Sequence, residues 1–229
     1  LTDHGVMYGA IEFYQKCKAA GIKPIIGCEV YLAPNGRLNK RSKVDDVRYH
    51  LILLAKNNTG YKNLIKLTSI AHLEGFYYKP RIDWETLEQY HEGLIACSAC
   101  LNGEIPRAIL SGDKKKIEET IQRYHRLFGD DFYLELQDHP HLPEQQTVNR
   151  ALLEWSKTLH LPLTASNDVH YLRREDAEAH DVLLCLQTKH KQDDPDRMNM
   201  LEIDASFRSP EDMRQIFADY PEALANTVK

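Results

Sequence analysis

Short apolar runs alternate with amphipathic segments along most of the chain, a pattern typical of strands that are each followed by a helix. The predicted strands cover residues 23–31, 49–55, 93–98, 132–137 and 161–166. The predicted helices cover residues 7–20, 57–72, 84–90, 103–110, 114–128, 144–160, 174–186 and 210–218. This alternation predicts an α/β fold in which helices cover parallel strands. A (β/α) barrel and an open doubly wound sheet both fit the pattern.

Two polar segments separate these elements. Residues 32–47 and 189–199 are charged or rich in turn residues, and we expect the first of them to be a mobile loop. No linker rich in Gly, Pro or Ser divides the 229 residues. The sequence therefore predicts a single domain over residues 1–229.

Composition bears on nucleic-acid binding, on membrane insertion and secretion, and on the state of the cysteines. The net charge is −5, and a domain that gripped a nucleic-acid backbone by itself would usually carry a basic excess. No apolar run approaches the roughly 20 residues of a membrane span, and no signal peptide is visible. Five cysteines, an odd number, indicate free thiols in a reducing cytoplasm. The chain begins inside a motif at Leu1, which suggests a piece of a longer protein.

Metal-binding residue types lie in the predicted strands or shortly after them. In parallel α/β folds the active site lies at the carboxyl ends of the strands. The residues expected there are His4, with the neighbouring Asp3, and Glu29, His50, Cys100, Asp168 and His170. Imidazole, thiolate and carboxylate together favour zinc or a similar divalent ion, which could activate water for attack at phosphorus. Asp168 and His170 are two residues apart, so on an extended segment they would point to the same side.

Each of these residues also has a simpler structural interpretation. A lone cysteine is more often a buried apolar residue than a ligand. Glu29 could pair with a lysine, and Asp168 could cap a helix. Cys97 and Cys100 have CxxC spacing, but a single pair without a partner pair is weak support for a zinc ribbon. The metal hypothesis depends on the joint placement of the six residues.

The order of several strings along the chain resembles one known family. The strings are LTDHG with MYGA at residues 1–10, GCEVY at 27–31, YHL at 49–51, EGFYYKPRID at 74–83, CLNGE at 100–104, LPEQ at 142–145, NDVHY at 167–171 and DDP at 193–195. Together they resemble the PHP (polymerase and histidinol phosphatase) domain family. Several are typical of the branch found in the alpha subunit of bacterial DNA polymerase III.

The resemblance implies a fold, a site and a reaction. The fold would be a distorted (β/α)7-like barrel with a cluster of divalent metals at its mouth, zinc first, with manganese and iron as alternatives. The ligands would be His4, Glu29, His50, Cys100, Asp168 and His170, with catalysis carried by His4, Asp168 and His170. The activity would be a metal-dependent phosphoesterase of the 3′–5′ exonuclease type within a DNA polymerase. Partners would be DNA, other replicase subunits and polymerase domains in the same polypeptide, with no membrane.

The sequence also departs from the family pattern. The family's HxH motif and first strand would precede residue 1, so the first strand is expected to be missing. Ala99 stands where glycine is commoner, residues 138–141 look one residue longer than usual, and Phe207-Arg208 replaces a more usual tyrosine-containing strand. Lys79, Arg81 and His139 could hold a substrate phosphate or serve the structure.

Three functions therefore stay open at this point. The first is a metal-dependent exonuclease module. The second is a silent scaffold that stabilises a polymerase and docks its partners. The third is a stand-alone phosphatase acting on a small phosphate ester, which the strings around Phe76 and Asp193 argue against.

Overall fold

A computed structural model describes residues 1–229 as a mixed α/β protein with six strands and nine α-helices. The strands are β1 (Gly27–Leu32), β2 (Tyr49–Ala55), β3 (Arg81–Ile82), β4 (Leu94–Cys97), β5 (Phe132–Gln137) and β6 (Leu163–Ser166). The helices are α1 (Ala10–Ala19), α2 (Asn58–Leu73), α3 (Trp84–Gln89), α4 (Glu104–Ser111), α5 (Lys114–Phe128), α6 (Pro143–Leu159), α7 (Ala177–Thr188), α8 (Pro210–Ile216) and α9 (Pro221–Asn226). Every helix is too short or too polar to span a membrane.

All five predicted strands and all eight predicted helices form; β2, β5 and α5 have the predicted bounds, and the ends of the others are shifted. The strand predicted at residues 23–31 begins at Gly27 instead of residue 23, because Pro24 lacks the N–H that a strand ladder requires. The pattern missed β3, which has only two residues, and α9, a six-residue helix that begins at Pro221. Neither element is long enough to show a hydrophobic period.

The chain divides into two compact units. The first comprises residues 1–135 and 155–162, and the second comprises residues 136–154 and 163–229. Within the first unit the strand order is β3-β1-β2-β4-β5. The last two residues of β5 and the whole of β6 belong to the second unit.

The sheet is mixed, so the prediction of uniformly parallel strands was wrong. β1 pairs with β3 and β4 pairs with β5 in parallel, whereas β2 is antiparallel to both β1 and β4. Residues 33–48 join β1 to β2 without a helix. A connection of this kind can return the chain beside the strand it left, which produces an antiparallel pair.

The register of β1 and β2 separates an apolar face from a polar one. Directly opposed residues share a face, and faces alternate along each strand. Val30 lies opposite Leu51 and Cys28 lies opposite Leu53, and these four side chains are at most 3% exposed. On the other face the same register places Tyr31 opposite His50, and Glu29 lies two residues before Tyr31. One face of the strand pair therefore belongs to the core, and the other carries the candidate site residues.

The loop of residues 33–48 is held by a buried arginine. Arg81 is 1% exposed, and its guanidinium donates to four backbone oxygens at 2.9–3.0 Å. The acceptors are the carbonyls of Arg37, Asn39, Asp45 and Gly75. The sequence predicted a mobile loop with no regular structure. The segment has no helix or strand, but three of its carbonyls are fixed to one side chain, a contact that loop composition does not indicate.

A second anchor joins the same loop to α3. Asp83 caps α3 by accepting from the Thr86 N–H at 3.1 Å, and it also accepts from the Arg37 N–H at 2.9 Å and the Arg37 Nη1 at 3.0 Å. Burial raises the pKa of Asp83, but these hydrogen bonds and the Arg37 charge outweigh burial and lower the pKa.

Replacing Arg81 by methionine should destabilise the first unit. The four carbonyls would lose their donor, the Gly75 and Asp45 carbonyls in buried bonds and the other two in part-buried bonds, and an unsatisfied buried acceptor costs about 1–3 kcal/mol. We expect the free energy of unfolding to fall by at least about 3 kcal/mol in urea denaturation. Arg126→Met on the exposed side of α5 is the matched control and should change stability little. Equal stability of the two variants would contradict this role for Arg81.

Replacing Asp83 by asparagine should have a pH-dependent cost. Because the pKa of Asp83 is lowered in the folded state, its stabilisation is present above the unfolded pKa of about 3.9 and is lost as pH falls through the folded pKa. We therefore expect Asp83→Asn to lower Tm at pH 7, and the difference from the unmodified protein to shrink below about pH 4. A difference in Tm that stays constant from pH 7 to pH 3 would contradict the assignment.

Candidate metal centre

Backbone pairing brings His4 beside Glu29. Residues 3–5 run parallel to β1, where the Glu29 N–H donates to the Asp3 carbonyl at 3.0 Å and the Gly5 N–H donates to the Glu29 carbonyl at 2.8 Å. The side chains then meet, with His4 Nε2 at 3.5 Å from Glu29 Oε1. His4 is exposed while Glu29 is only 3% exposed, so the pair reaches from the interior to solvent.

His50 completes a group of three around the Glu29 carboxylate. It comes from β2, and its Nδ1 contacts Glu29 Oε1. One donor atom from each of His4, Glu29 and His50 lies within 4.8 Å of the other two. Three of the six residues predicted as ligands therefore meet at one point, on the polar face of the β1–β2 pair.

Cys100 reaches the same group through the loop after β4. The His50 N–H donates to the Asn102 carbonyl at 3.0 Å, and this bond places Cys100 Sγ at 3.5 Å from His50 Nδ1. This turn requires glycine at position 103, because a Cβ there would lie 2.2 Å from the Ser98 carbonyl oxygen. Ala99 has φ +62°, a left-handed conformation that explains why glycine would be common at this position.

Asp168 and His170 lie in the second unit and contact each other. The predicted extended geometry was wrong, since β6 ends at Ser166 and Asp168 has φ +48°. His170 Nδ1 lies 2.6 Å from the Asp168 carbonyl oxygen and 3.8 Å from Asp168 Oδ1. A ring N–H donated to the carbonyl leaves Nε2 as the nitrogen for a metal. The Asn167 amide supports the turn by donating to the Ser206 carbonyl at 2.6 Å.

Two further histidines belong to this part of the second unit. The His180 ring lies 5.5 Å from the His170 ring, and His180 was not among the predicted site residues because it is within a helical segment. His139 is 6% exposed, and its Nδ1 has no hydrogen-bond partner. Burial lowers the pKa of His139, although the charge of Asp168 opposes the shift.

The donor set of the first unit fits a zinc-like ion. Zinc bonds of about 2.0–2.1 Å to nitrogen or oxygen in a tetrahedral site separate two ligand atoms by about 3.3 Å, and a sulfur ligand increases this to about 3.6 Å. The His4–Glu29 and His50–Cys100 distances are each 3.5 Å. A buried carboxylate between imidazoles is costly unless a cation accompanies it. The donor chemistry and these two distances therefore suit a divalent metal.

Two other cysteines, Cys28 and Cys97, are buried in the strands. Burial raises the pKa of Cys28 to about 12, and its Sγ contacts the Asp3 carbonyl oxygen at 3.3 Å. Burial also raises the pKa of Cys97, which lies within β4. Buried thiols of this kind stay protonated when no metal is bound. The CxxC spacing of Cys97 and Cys100 therefore does not reflect a paired zinc motif.

Two of the residues considered for phosphate binding, Arg81 and Lys79, have different surroundings. Arg81 is committed to backbone carbonyls and is structural, as described above. Lys79 is half-buried, and its Nζ lies 6.0 Å from the centre of the Tyr31 ring. The Tyr31 ring in turn lies 5.2 Å from His50 and 6.4 Å from His4. Burial, followed by the Glu29 charge, raises the pKa of Tyr31 to about 12.

Comparison with known proteins gives consistent matches. The family model of the PHP domain matches residues 1–139. DNA polymerase III subunit alpha of Borreliella burgdorferi is 51% identical over 230 residues, covering all of this chain and 20% of that protein. The proteins of the same name in Treponema pallidum and Thermus aquaticus are each 48% identical, covering all of this chain and 20% and 19% of those proteins. The chain thus spans about a fifth of the length of these relatives.

Removing one donor should weaken metal binding. We expect His50→Ala to lower zinc affinity more than tenfold. The substitution removes one donor and also the contacts that this imidazole makes with Glu29 and Cys100. Competition with a chromogenic chelator measures the affinity. His125→Ala, an exposed histidine on α5, is the control and should bind zinc normally. Equal affinities for the two variants would contradict a metal centre at His50.

Proposed function

This chain belongs to the PHP domain family, and from that premise we propose that it is the metal-dependent phosphodiesterase module of a replicative DNA polymerase. Its reaction would be hydrolysis of the terminal phosphodiester of DNA in the 3′–5′ direction. The observation that carries the proposal is the convergence of His4, Glu29 and His50 on one point open to solvent. The polymerase assignment is supported by relatives named DNA polymerase III subunit alpha that align over the whole chain.

The proposed ligands are those expected from the sequence. His4, Glu29, His50 and Cys100 would hold metal in the first unit, and Asp168 and His170 would hold metal in the second unit. Zinc suits this mixture of nitrogen, oxygen and sulfur best, with manganese and iron as alternatives. When bound, such ions polarise a phosphate ester and lower the pKa of water.

The side chains of this chain would then have distinct roles. The buried Glu29 carboxylate would supply the negative charge that retains cations at the point between His4 and His50. His4 is the exposed member, so substrate would approach from its side. We propose His4 in the first unit, and Asp168 and His170 in the second, as the catalytic residues, each acting on the phosphate through the metal that it would bind. The strands of this chain would form part of a distorted (β/α)7-like barrel, with the site at its mouth.

The biological setting follows from the same assignment. DNA, other replicase subunits and further polymerase domains in the same polypeptide would be the partners, and the protein would act in the cytoplasm. A catalytically silent scaffold is the alternative, because a domain of this type could stabilise a polymerase without chemistry. A stand-alone phosphatase is less well supported, since the relatives are polymerase subunits about five times as long as this chain.

An exonuclease assay tests the proposal in the full natural polypeptide. We expect a 5′-labelled primer with a mismatched 3′ end to be shortened, the reaction to stop on chelation, and added zinc or manganese to restore it. Glu29→Gln and the double variant Asp168→Ala/His170→Ala should each lose at least 100-fold in rate, whereas His125→Ala should retain full activity.

Two outcomes would overturn it. Shortening that survives chelation or both active-site variants would mean that another nuclease causes it. No shortening by a protein that contains a full complement of metal would favour the scaffold.

A further inference from the structure

Two cationic side chains lie beside the candidate metal centre without an ion-pair partner. The Arg48 guanidinium carbon lies 5.9 Å from the centre of the Tyr31 ring, and Lys79 Nζ lies 6.0 Å from it. The same ring contacts the imidazoles of His4 and His50. Arg48 donates to one backbone oxygen, that of Asp46, and neither cation has a carboxylate oxygen within 4 Å.

The charge around these cations differs in sign from that of the whole chain. Residues 37–48 contain five basic and two acidic side chains, while the chain as a whole has a net charge of −5. Arg37 and Arg41 are neutralised by carboxylates, whereas Lys40 and Lys43 are exposed on the same loop. Arg48 and Lys79 are half-buried, which makes an unpaired positive charge more effective on an anion than it would be in open water.

An exposed aromatic turn adjoins Lys79. Tyr78 is 66% exposed, and its ring lies 4.6 Å from that of Tyr77. The buried Arg81 guanidinium supports Tyr77, because its central carbon lies 5.1 Å from the centre of the Tyr77 ring. The Tyr77 N–H donates to the Lys79 carbonyl at 3.0 Å, which closes the turn and gives Tyr78 φ +58°. The preceding Phe76 is also 51% exposed.

We propose that Arg48, Lys79 and Tyr78 form a binding track for single-stranded DNA that leads into the metal centre. This inference rests on the proposed function and names the form of its substrate. Arg48 and Lys79 would bind phosphates adjacent to the scissile one, and Tyr78 would stack on a base. Basic grooves combined with exposed aromatic rings are the usual means of binding single strands without sequence preference.

The arrangement favours an unpaired strand over other phosphate compounds. A base inside a duplex is already stacked and cannot lie on the Tyr78 ring, so a paired end would have to fray first. A mononucleotide or small phosphate ester has no adjacent phosphates for Arg48 and Lys79. A mismatched primer end supplies both an unpaired base and a continuous backbone.

Photocrosslinking in the full natural polypeptide tests the track. An oligodeoxynucleotide with 5-iododeoxyuridine near its 3′ end, irradiated with the protein after chelation, should crosslink to the peptide that contains Tyr78. Tyr78→Ala should weaken binding of this oligonucleotide about tenfold, and Tyr78→Phe should retain it because the ring is kept. Arg48→Gln/Lys79→Gln should reduce the slope of log K against log salt by about 1.4, the value for two phosphate contacts on a single strand.

The control is Lys18→Gln/Lys114→Gln, which removes the same charge from exposed positions on α1 and α5 and should leave the crosslink and the salt slope unchanged. Crosslinks confined to other peptides, or an equal slope in both double variants, would overturn the track.

Hydrolysis of bis-p-nitrophenyl phosphate separates the two proposals. If the track variants hydrolyse it normally and bind DNA normally, the track is wrong and the nuclease stands. If chelated protein still crosslinks at Tyr78 but no variant or metal affects hydrolysis, the nuclease is wrong and the track stands.

Discussion

The pairing of β1 with a backbone segment on each side is the constraint on which the candidate site depends. Residues 3–5 bond to one edge of the strand and β2 bonds to the other. Glu29 is thereby placed between His4 and His50, two residues that are far apart in sequence. A shift of β1 by one residue would turn Glu29 into the apolar face and bring Cys28 or Val30 to the site. The burial of Val30, Leu51 and other core residues on the opposite face opposes such a shift.

A second constraint links the interior to the surface. The Arg81 guanidinium is used twice, since it binds carbonyls of residues 37–48 through its N–H groups and supports Tyr77 through its face. The loop that carries Arg48 and the turn that carries Tyr78 are therefore fixed to one buried group. Burying a cation is costly unless each donor finds an acceptor, and the carbonyls satisfy this condition. Positive charge and aromatic surface are in this way held beside the metal centre instead of on independent flexible segments.

The elements of this fold were largely predictable, whereas their pairing was not. Apolar periodicity located five strands and eight helices, because each of them is long enough to repeat its pattern. The antiparallel direction of β2 depends on residues 33–48, whose path is set by Arg81, more than thirty residues away along the chain. Periodicity carries no information about such a contact. The same limit applies to β3 and to the left-handed turn at Asp168.

The site was predictable to a different degree. Residue type and position in a strand or shortly after one were sufficient to select His4, Glu29, His50 and Cys100, and these four meet in the first unit. The pairing of Asp168 with His170 was predicted on a wrong geometry, because the left-handed Asp168 replaces an extended strand. Nothing in the sequence distinguished Arg81, a buried structural cation, from Lys79, which lies near the site. Burial decides between these roles, and burial of a single charged residue depends on tertiary contacts.

X-ray absorption at the zinc edge of the zinc-loaded protein is the decisive test of this metal centre, because it reports the atoms that bind the metal. We expect nitrogen or oxygen neighbours at about 2.0–2.1 Å and a sulfur neighbour at about 2.3 Å that disappears in Cys100→Ala. A metal shell without sulfur in the unmodified protein, or a sulfur signal that persists in Cys100→Ala, would contradict the convergence of these strands on one metal centre.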